Sequence, residues 1–192
     1  AIGLRAGDTL VKARGVAGLV RLFLGQHVHA VVVLAAEPQL TLVGNPDRGG
    51  GLGAMALRIF REAKMNLINV AVTQGSKRER QAERLVELQH ACNYLGYGVQ
   101  TTGPNGLEKV NPKTRQNEPQ LWAGMVRVIT GILIQHQPRV ILFPHDRDWN
   151  GTHIGVHHLV MDALQQTPPG FECYLVETEF WGAMDDPNLL VE

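Results

Sequence analysis

A chain of 192 residues is long enough to bury one full core and short for two. Its composition, 44% hydrophobic and 19% charged, excludes a disordered or fibrous protein. Eighteen Lys plus Arg balance eighteen Asp plus Glu, so no net charge draws the chain to nucleic acid or to an anionic membrane surface, and neither is expected as a partner.

The two cysteines, Cys92 and Cys173, are far apart and lack C-x-x-C spacing, which excludes a disulfide framework and a thiolate metal knuckle. Both read as buried thiols. The most apolar early stretch, Gly15 to Gly25, is broken by Arg21 and falls far short of the ~20 residues that span a membrane. No leader peptide is legible, and a cytoplasmic location is the default expectation.

Taken in order, the chain predicts a first helix from a cap at Asp8 towards Leu24. Two apolar runs follow, His29 to Ala36 and Gln39 to Gly44, separated by Glu37-Pro38, which argues against one continuous strand. A Gly-rich turn leads to a helix near Ala54 to Lys64 and a strand at Asn66 to Thr73. A long helix from about Lys77 to Leu95 is closed by Gly96. The turn-rich stretch Thr101 to Pro119 reads as a functional loop or lid. A helix over Leu121 to His136, a buried strand at Arg139 to Phe143, a helix starting near Thr152 and a last strand within Phe171 to Phe180 complete the pattern, which Asp186-Pro187 ends.

Short β-branched runs alternating with segments of helical period predict α/β structure, a Rossmann-like three-layer sandwich with a mostly parallel sheet. One domain over residues 1–192 is expected, with 1–38 supplying an N-terminal helix and strand. Ligands of such sheets gather beyond the carboxyl ends of the strands, which points to Asn45 to Gly53, Thr73 to Ser76 and Pro144 to His153.

The turn after Gly44 contains Gly49, Gly51 and Ala54 in G-x-G-x-x-A spacing, a dinucleotide-binding pattern. No acid stands at the end of the next strand to hold a ribose, although Lys77 and Arg78 could meet a 2′-phosphate, so an NADP-binding domain is one alternative. The glycines equally serve a tight strand-to-helix turn.

Several motifs occur in a fixed order: Asn45-Pro46-Asp47-Arg48, Val72-Thr73-Gln74-Gly75, Arg84 to Glu87 with Leu95-Gly96, and Asp148-Trp149-Asn150-Gly151-Thr152-His153. This order resembles the PIG-L/LmbE-like N-deacetylases from about Leu40 to Glu192. The resemblance implies zinc-dependent hydrolysis of an acetamide on an N-acetylglucosamine-like sugar. The family's first loop reads His-Pro-Asp-Asp-Glu, its His and second Asp binding zinc and its first Asp acting as general base, and a late His is the third ligand. Three protein ligands leave a place for an activated water.

Carried over by position, Asp47 matches the general base and His153 the late zinc ligand. Asn45 and Arg48 stand where the other two ligands belong, and Gly49 replaces the following Glu. Asn is a poor ligand, Arg cannot deprotonate, and an Arg about 4 Å from zinc adds roughly 8 kcal/mol of repulsion at an effective dielectric of 20. The zinc that the family implies is therefore not expected to bind here in the ordinary way. Arg48 is instead expected to occupy the vacated cation position and to pair with Asp47. A competing placement sets Glu37-Pro38-Gln39 in the acidic loop, but Leu40 would then stand at a ligand position. Gly53 and the predicted helix follow the later loop at the right distance, so the placement on Asn45 to Arg48 is preferred.

Further candidates cluster near these motifs. His153 and His157, four apart, share a helix face that can hold a metal, with His145 and His158 nearby in sequence. Packing explains His157 equally. Asp148, Asn150 and Thr152 can each cap that helix. The resemblance makes Arg84 a substrate contact, against a solvated pair with Glu87. Arg48 and Asn150 are expected at the substrate too. Trp149 can stack a sugar face, while Trp122 and Trp181 fit core packing.

Two main readings follow: a deacetylase-type amide hydrolase working with an atypical metal set, and a non-catalytic carbohydrate-binding or scaffold protein that keeps the pocket. Both imply a small N-acetylated sugar or sugar conjugate as partner, and both are compatible with a homo-oligomer.

Overall fold

The computed structural model describes residues 9–15, 31–35 and 65–191. They supply seven strands: β1 (Thr9–Gly15), β2 (Val31–Ala35), β3 (Leu67–Ala71), β4 (Gly98–Thr101), β5 (Val140–Pro144), β6 (Tyr174–Thr178) and β7 (Leu189–Val191). Four α-helices are described: α1 (Gln81–Leu95), entered through a 3-10 turn at Arg78–Arg80, α2 (Pro112–Asn117), α3 (Pro119–His136) and α4 (Gly151–Leu164).

The strands form one sheet in the order β4-β3-β2-β5-β6-β1-β7. Every strand pairing is parallel, as the sequence pattern predicts. The runs of β3 (LINVA) and β5 (VILFP) are almost wholly apolar, which suits strands covered on both faces. Val70, Val72, Ile141, Phe143 and Leu175 pack in one cluster with Trp122, Met125, Ile129 and Leu133 of α3 and Val156, Leu159 and Val160 of α4. The α1 residues Leu88, Cys92 and Leu95 are buried outside that cluster. The units β3-α1-β4 and β5-α4-β6 run in opposite directions along the sheet, so right-handed crossovers set α1 and α4 on opposite faces.

Local chemistry explains the helix ends. Gly96 closes α1 at φ 78°, a left-handed conformation that glycine adopts without a Cβ penalty. Pro112 opens α2 behind Asn111, whose side chain accepts the Thr114 N–H at 3.0 Å. Apolar residues at Trp122, Met125, Val126, Ile129 and Leu133 give α3 its buried stripe. Arg115 forks onto Asp162 at 2.9 and 2.8 Å while the Trp122 indole N–H donates to the same carboxylate at 2.8 Å, tying α2 and α3 to α4. Both cysteines are buried, and burial pushes the Cys92 thiol up to about 11. Among the described residues no helix is long and apolar enough to cross a membrane.

Three expectations are corrected. Thr9–Gly15 is a strand rather than the start of a helix, because β6 and β7 offer it ladders on both sides. Residues 16–24, the rest of that predicted helix, lie outside the described residues, as do Gln39 to Gly44 and the predicted helix near Ala54 to Lys64. The regular pattern does not end at Asp186-Pro187, since β7 pairs Leu189 with Ala13 and Val191 with Gly15. The stretch after Thr101 is not a plain loop: it contains α2, and Leu107 donates its N–H to the Val72 carbonyl at 2.8 Å beside a Thr73–Gly106 bridge.

The direction of strand progression reverses between β2 and β5, with β3 and β4 on one side and β6 on the other. Val33 lies opposite Leu142, so β2 ending at Ala35 and β5 ending at Pro144 leave the sheet at the same level. Such a reversal opens a crevice at the carboxyl ends of the strands.

Candidate functional site

The segment leaving β5 at this crevice is held by two buried side chains. His145 accepts the Arg147 N–H on Nδ1 at 3.2 Å and donates from Nε2 to the Gly182 carbonyl at 2.9 Å. Both of its ring nitrogens are thereby engaged within the protein, which removes it from the metal candidates. Asp148, 3% exposed, accepts the Asn150 N–H on Oδ1 at 2.8 Å. Its Oδ2 accepts from Trp181 N at 3.0 Å, Gly182 N at 3.1 Å and His153 Nδ1 at 3.0 Å. Burial by itself raises the Asp148 carboxyl, but the N–H groups of Asn150, Gly182 and Trp181 and the His153 side chain outweigh it and hold it below its ordinary value.

Asn150 is the residue that caps α4, its Oδ1 accepting the Thr152 N–H at 2.8 Å. The cap fixes the first turn and so places His153, 3% exposed, over Asp148. A carboxylate can only accept, so His153 Nδ1 carries the proton and Nε2 is the nitrogen left to meet a ligand. A carboxylate behind an imidazole is the arrangement that fixes ring orientation in metal and proton-transfer sites. One turn on, His157 turns Nδ1 to the Pro144 carbonyl at 3.2 Å and lies 3.4 Å from Glu177 Oε1, so it faces β5 and β6. Burial, with the charge of Arg115 next, lowers the pKa of His158.

Aromatic rings surround His153. Its centroid lies 5.2 Å from Phe180 and 4.9 Å from Trp181. Trp181 in turn lies 4.9 Å from Trp149, and the Trp149 indole N–H donates to the Trp181 carbonyl at 3.0 Å. Trp122 is buried in the core as expected, whereas Trp181 is half exposed and belongs to this cluster, not to the core.

A cavity of about 380 Å³ opens against the first turn of α4 at Thr152. One wall is Thr73, Gly75 and Ser76 after β3, and the other is Asn105 and Leu107 to Asn111 of the turn-rich segment. Gly75 holds φ 84°, and a Cβ there would stand 2.0 Å from Arg84 Nη1, so the Arg84 guanidinium lies against the turn that forms the wall. Among the described residues no ion pair joins Arg84 to Glu87. Arg78 pairs with Glu108 at 2.8 Å across the cavity mouth.

Trp149, Asn150 and His153 therefore converge with Asp148, and Arg84 supports a neighbouring wall. Asn45, Asp47, Arg48 and the Gly49, Gly51, Ala54 turn lie outside the described residues. The sequence reading missed Trp181 and Gly182 as partners of Asp148; their one signal is a position just past the carboxyl end of a strand. Among the described residues no three His, Cys, Asp or Glu side chains group to hold a metal, and they provide zinc with one suitably presented imidazole, His153.

No protein-family model matches the chain, and no curated protein matches it. Solved structures do. A conserved protein from Thermus thermophilus superimposes with TM-score 0.53 at 17% identity, covering 80% of this chain and 68% of that one. An N,N′-diacetylchitobiose deacetylase from Pyrococcus horikoshii, solved with an inhibitor, gives TM-score 0.53 at 16% identity over 80% of this chain and 57% of its own. The deacetylase of the A40926 pseudoaglycone gives TM-score 0.53 at 12% identity over 83% of this chain and 71% of its own. At these identities the likeness establishes a shared α/β fold, the one in which these deacetylases are built. The chain spans 57% of the length of the chitobiose deacetylase.

Proposed function

We propose that this chain binds an N-acetylated sugar or sugar conjugate at the carboxyl edge of its sheet, as a PIG-L/LmbE-like protein whose metal set is reduced. The observation that carries the reading is the Asp148–His153 pair, buried at the exit of β5 where the strand order reverses. With Nδ1 donating to Asp148, His153 Nε2 accepts a hydrogen bond from a sugar hydroxyl or an amide N–H. The cavity beside Thr152, lined by Thr, Ser, Gln and Asn side chains together with the charged Arg78, Glu108 and Lys109, offers both donors and acceptors to a hydroxylated ligand.

The reduced metal set follows from the residues available. Residues 36–64 contain no His and no Cys, and their acids are Glu37, Asp47 and Glu62. In the placement on Asn45 to Arg48, Asp47 keeps the base position and both other ligand positions are lost. In the placement on Glu37 to Leu40, Gln39 falls at the base and Leu40 at a ligand. Either way one imidazole stands where the family pattern has two, and the residues do not fit the family's zinc.

Elemental analysis of the purified chain, calorimetric titration with N-acetylglucosamine and N,N′-diacetylchitobiose, and an assay for released acetate test this reading. The expected result is sugar binding without stoichiometric zinc and without acetate. Full zinc occupancy with acetate release would overturn the reduced metal set. Absence of binding to either sugar would overturn the ligand class.

A further inference from the structure

Two adjacent tryptophans are left largely in solvent beside His153. Trp149 is 69% exposed and Trp181 50%, although each could bury a large apolar surface elsewhere. Single exposed apolar residues need no explanation, but two contacting indoles make a patch. Their positions are also fixed. The Trp181 N–H is bonded to Asp148 Oδ2, the Trp149 indole N–H to the Trp181 carbonyl, and the backbone at Gly182 approaches so closely that a Cβ there would stand 2.9 Å from the Asp148 Cα. His145 Nε2 holds Gly182 from the other side. The carboxylate that aims His153 thus also anchors the pair.

We propose that Trp149, braced by Trp181, forms an aromatic shelf that stacks the C–H face of a pyranose ring. This rests on the ligand class proposed above and adds the subsite that holds the ring. The electron-rich face of an indole attracts the weakly positive axial C–H groups of a sugar, while the sugar's equatorial hydroxyls stay free for polar partners. A shelf fixed before binding loses little side-chain entropy on contact. The two indoles are packed on each other with centroids 4.9 Å apart at a tilt of 32°, so Trp181 braces Trp149 from behind and Trp149, the more exposed ring, offers the outer face.

The test is calorimetric titration of the whole chain with N-acetylglucosamine and with glucosamine, read together with tryptophan emission, to which buried Trp122 adds a constant signal. The shelf predicts a change of emission on binding. It predicts affinity about tenfold weaker in Trp149→Leu and in Trp181→Leu, with Trp149→Tyr within about threefold of wild type. N-Bromosuccinimide oxidation of the wild type, slowed by saturating sugar, reads the same contact without substitution. Unchanged affinity in both Leu variants, or unprotected tryptophans in a wild type that binds sugar, would overturn the shelf and leave the ligand class standing. A wild type that binds neither sugar would overturn the ligand class, and the shelf with it. Emission that changes with protein concentration alone would show that a second copy covers the pair, which also overturns the shelf.

Discussion

His153 Nδ1 lies 3.0 Å from Asp148 Oδ2, and that same oxygen takes the backbone N–H groups of Trp181 and Gly182 at 3.0 and 3.1 Å. One buried carboxylate therefore joins the segment after β5, the first turn of α4 and the segment after β6. Its loss would be felt both in stability and in the aim of the imidazole.

The first prediction concerns pH. Asp148 is held below its ordinary pKa in the folded protein, so its stabilisation is complete above the unfolded value, about 3.9, and is lost as pH falls through the lower folded value. Asp148→Asn should cost about 2–3 kcal/mol at pH 7, because the amide offers one acceptor in place of a charged pair of oxygens. Urea unfolding of both proteins at pH 7 and pH 2.5 should show the gap narrowing in acid. An equal gap at both pH values would mean that the folded carboxyl is not depressed.

Asn150 separates a cap from a ligand contact. Its Oδ1 is committed to Thr152 N, so Asn150→Ala should destabilise the chain by about 1 kcal/mol and Asn150→Ser should recover most of that. The free Nδ2 donor is lost in both. Under the proposed function, sugar affinity therefore falls in Asn150→Ser although stability does not. Thermal melts beside calorimetric titration check this, and affinity that tracks stability through both variants would reduce Asn150 to a cap.

Gly155 lets the cavity wall close on α4. A Cβ at this position would stand 2.7 Å from the backbone of Val110 and Asn111, a contact with main chain that cannot rotate away. Alanine favours a helix over glycine by about 1 kcal/mol, but overpacking costs about 1–3 kcal/mol, so Gly155→Ala should be destabilising on balance. Amide exchange should rise over residues 105–111 in the variant. A more stable Gly155→Ala protein would show that the segment yields easily.

The readable parts of this fold were local. The apolar run of β5, the Leu95-Gly96 end of α1 and the Asp-x-Asn-x-x-His order each depend on neighbours within a few residues, and each appears as the pattern predicts. Strand β1 was illegible because its ladder partners lie more than 150 residues away in β6 and β7, and Thr9–Gly15 taken alone has no strict period. Trp181 was missed for the same reason: its link to Asp148 spans 33 residues. Asn150 against Asp148 was a local ambiguity, since either could cap α4, and three-dimensional contacts with Trp181 and Gly182 decide it.

The last prediction asks which acidic segment faces His153. Strand β2 ends at Ala35, level with Pro144 and next to the segment that carries Asp148. A residue spans at most about 3.6 Å of chain, so two residues can carry Glu37 at most roughly 7 Å from the end of β2, and ten can carry Asn45 at most roughly 36 Å. The parallel strands themselves are about 4.8 Å apart. Chain length alone therefore limits how far Glu37 can stand from the crevice and sets no useful limit for Asn45. The double change Glu37→His with Leu40→Asp, which gives His153 an imidazole and a carboxylate as partners, should create stoichiometric zinc binding. Each single change should bind far less, because two ligands do not make a tight three-ligand site. The matching pair Asn45→His with Arg48→Asp removes a cation and adds the same two ligands in the other placement. Zinc content by elemental analysis and affinity by competition with a chelator decide between the two. Uptake by the Asn45 and Arg48 pair alone would place the family's loop at Asp47, and uptake by neither folded double variant would mean that His153 does not share its crevice with either segment.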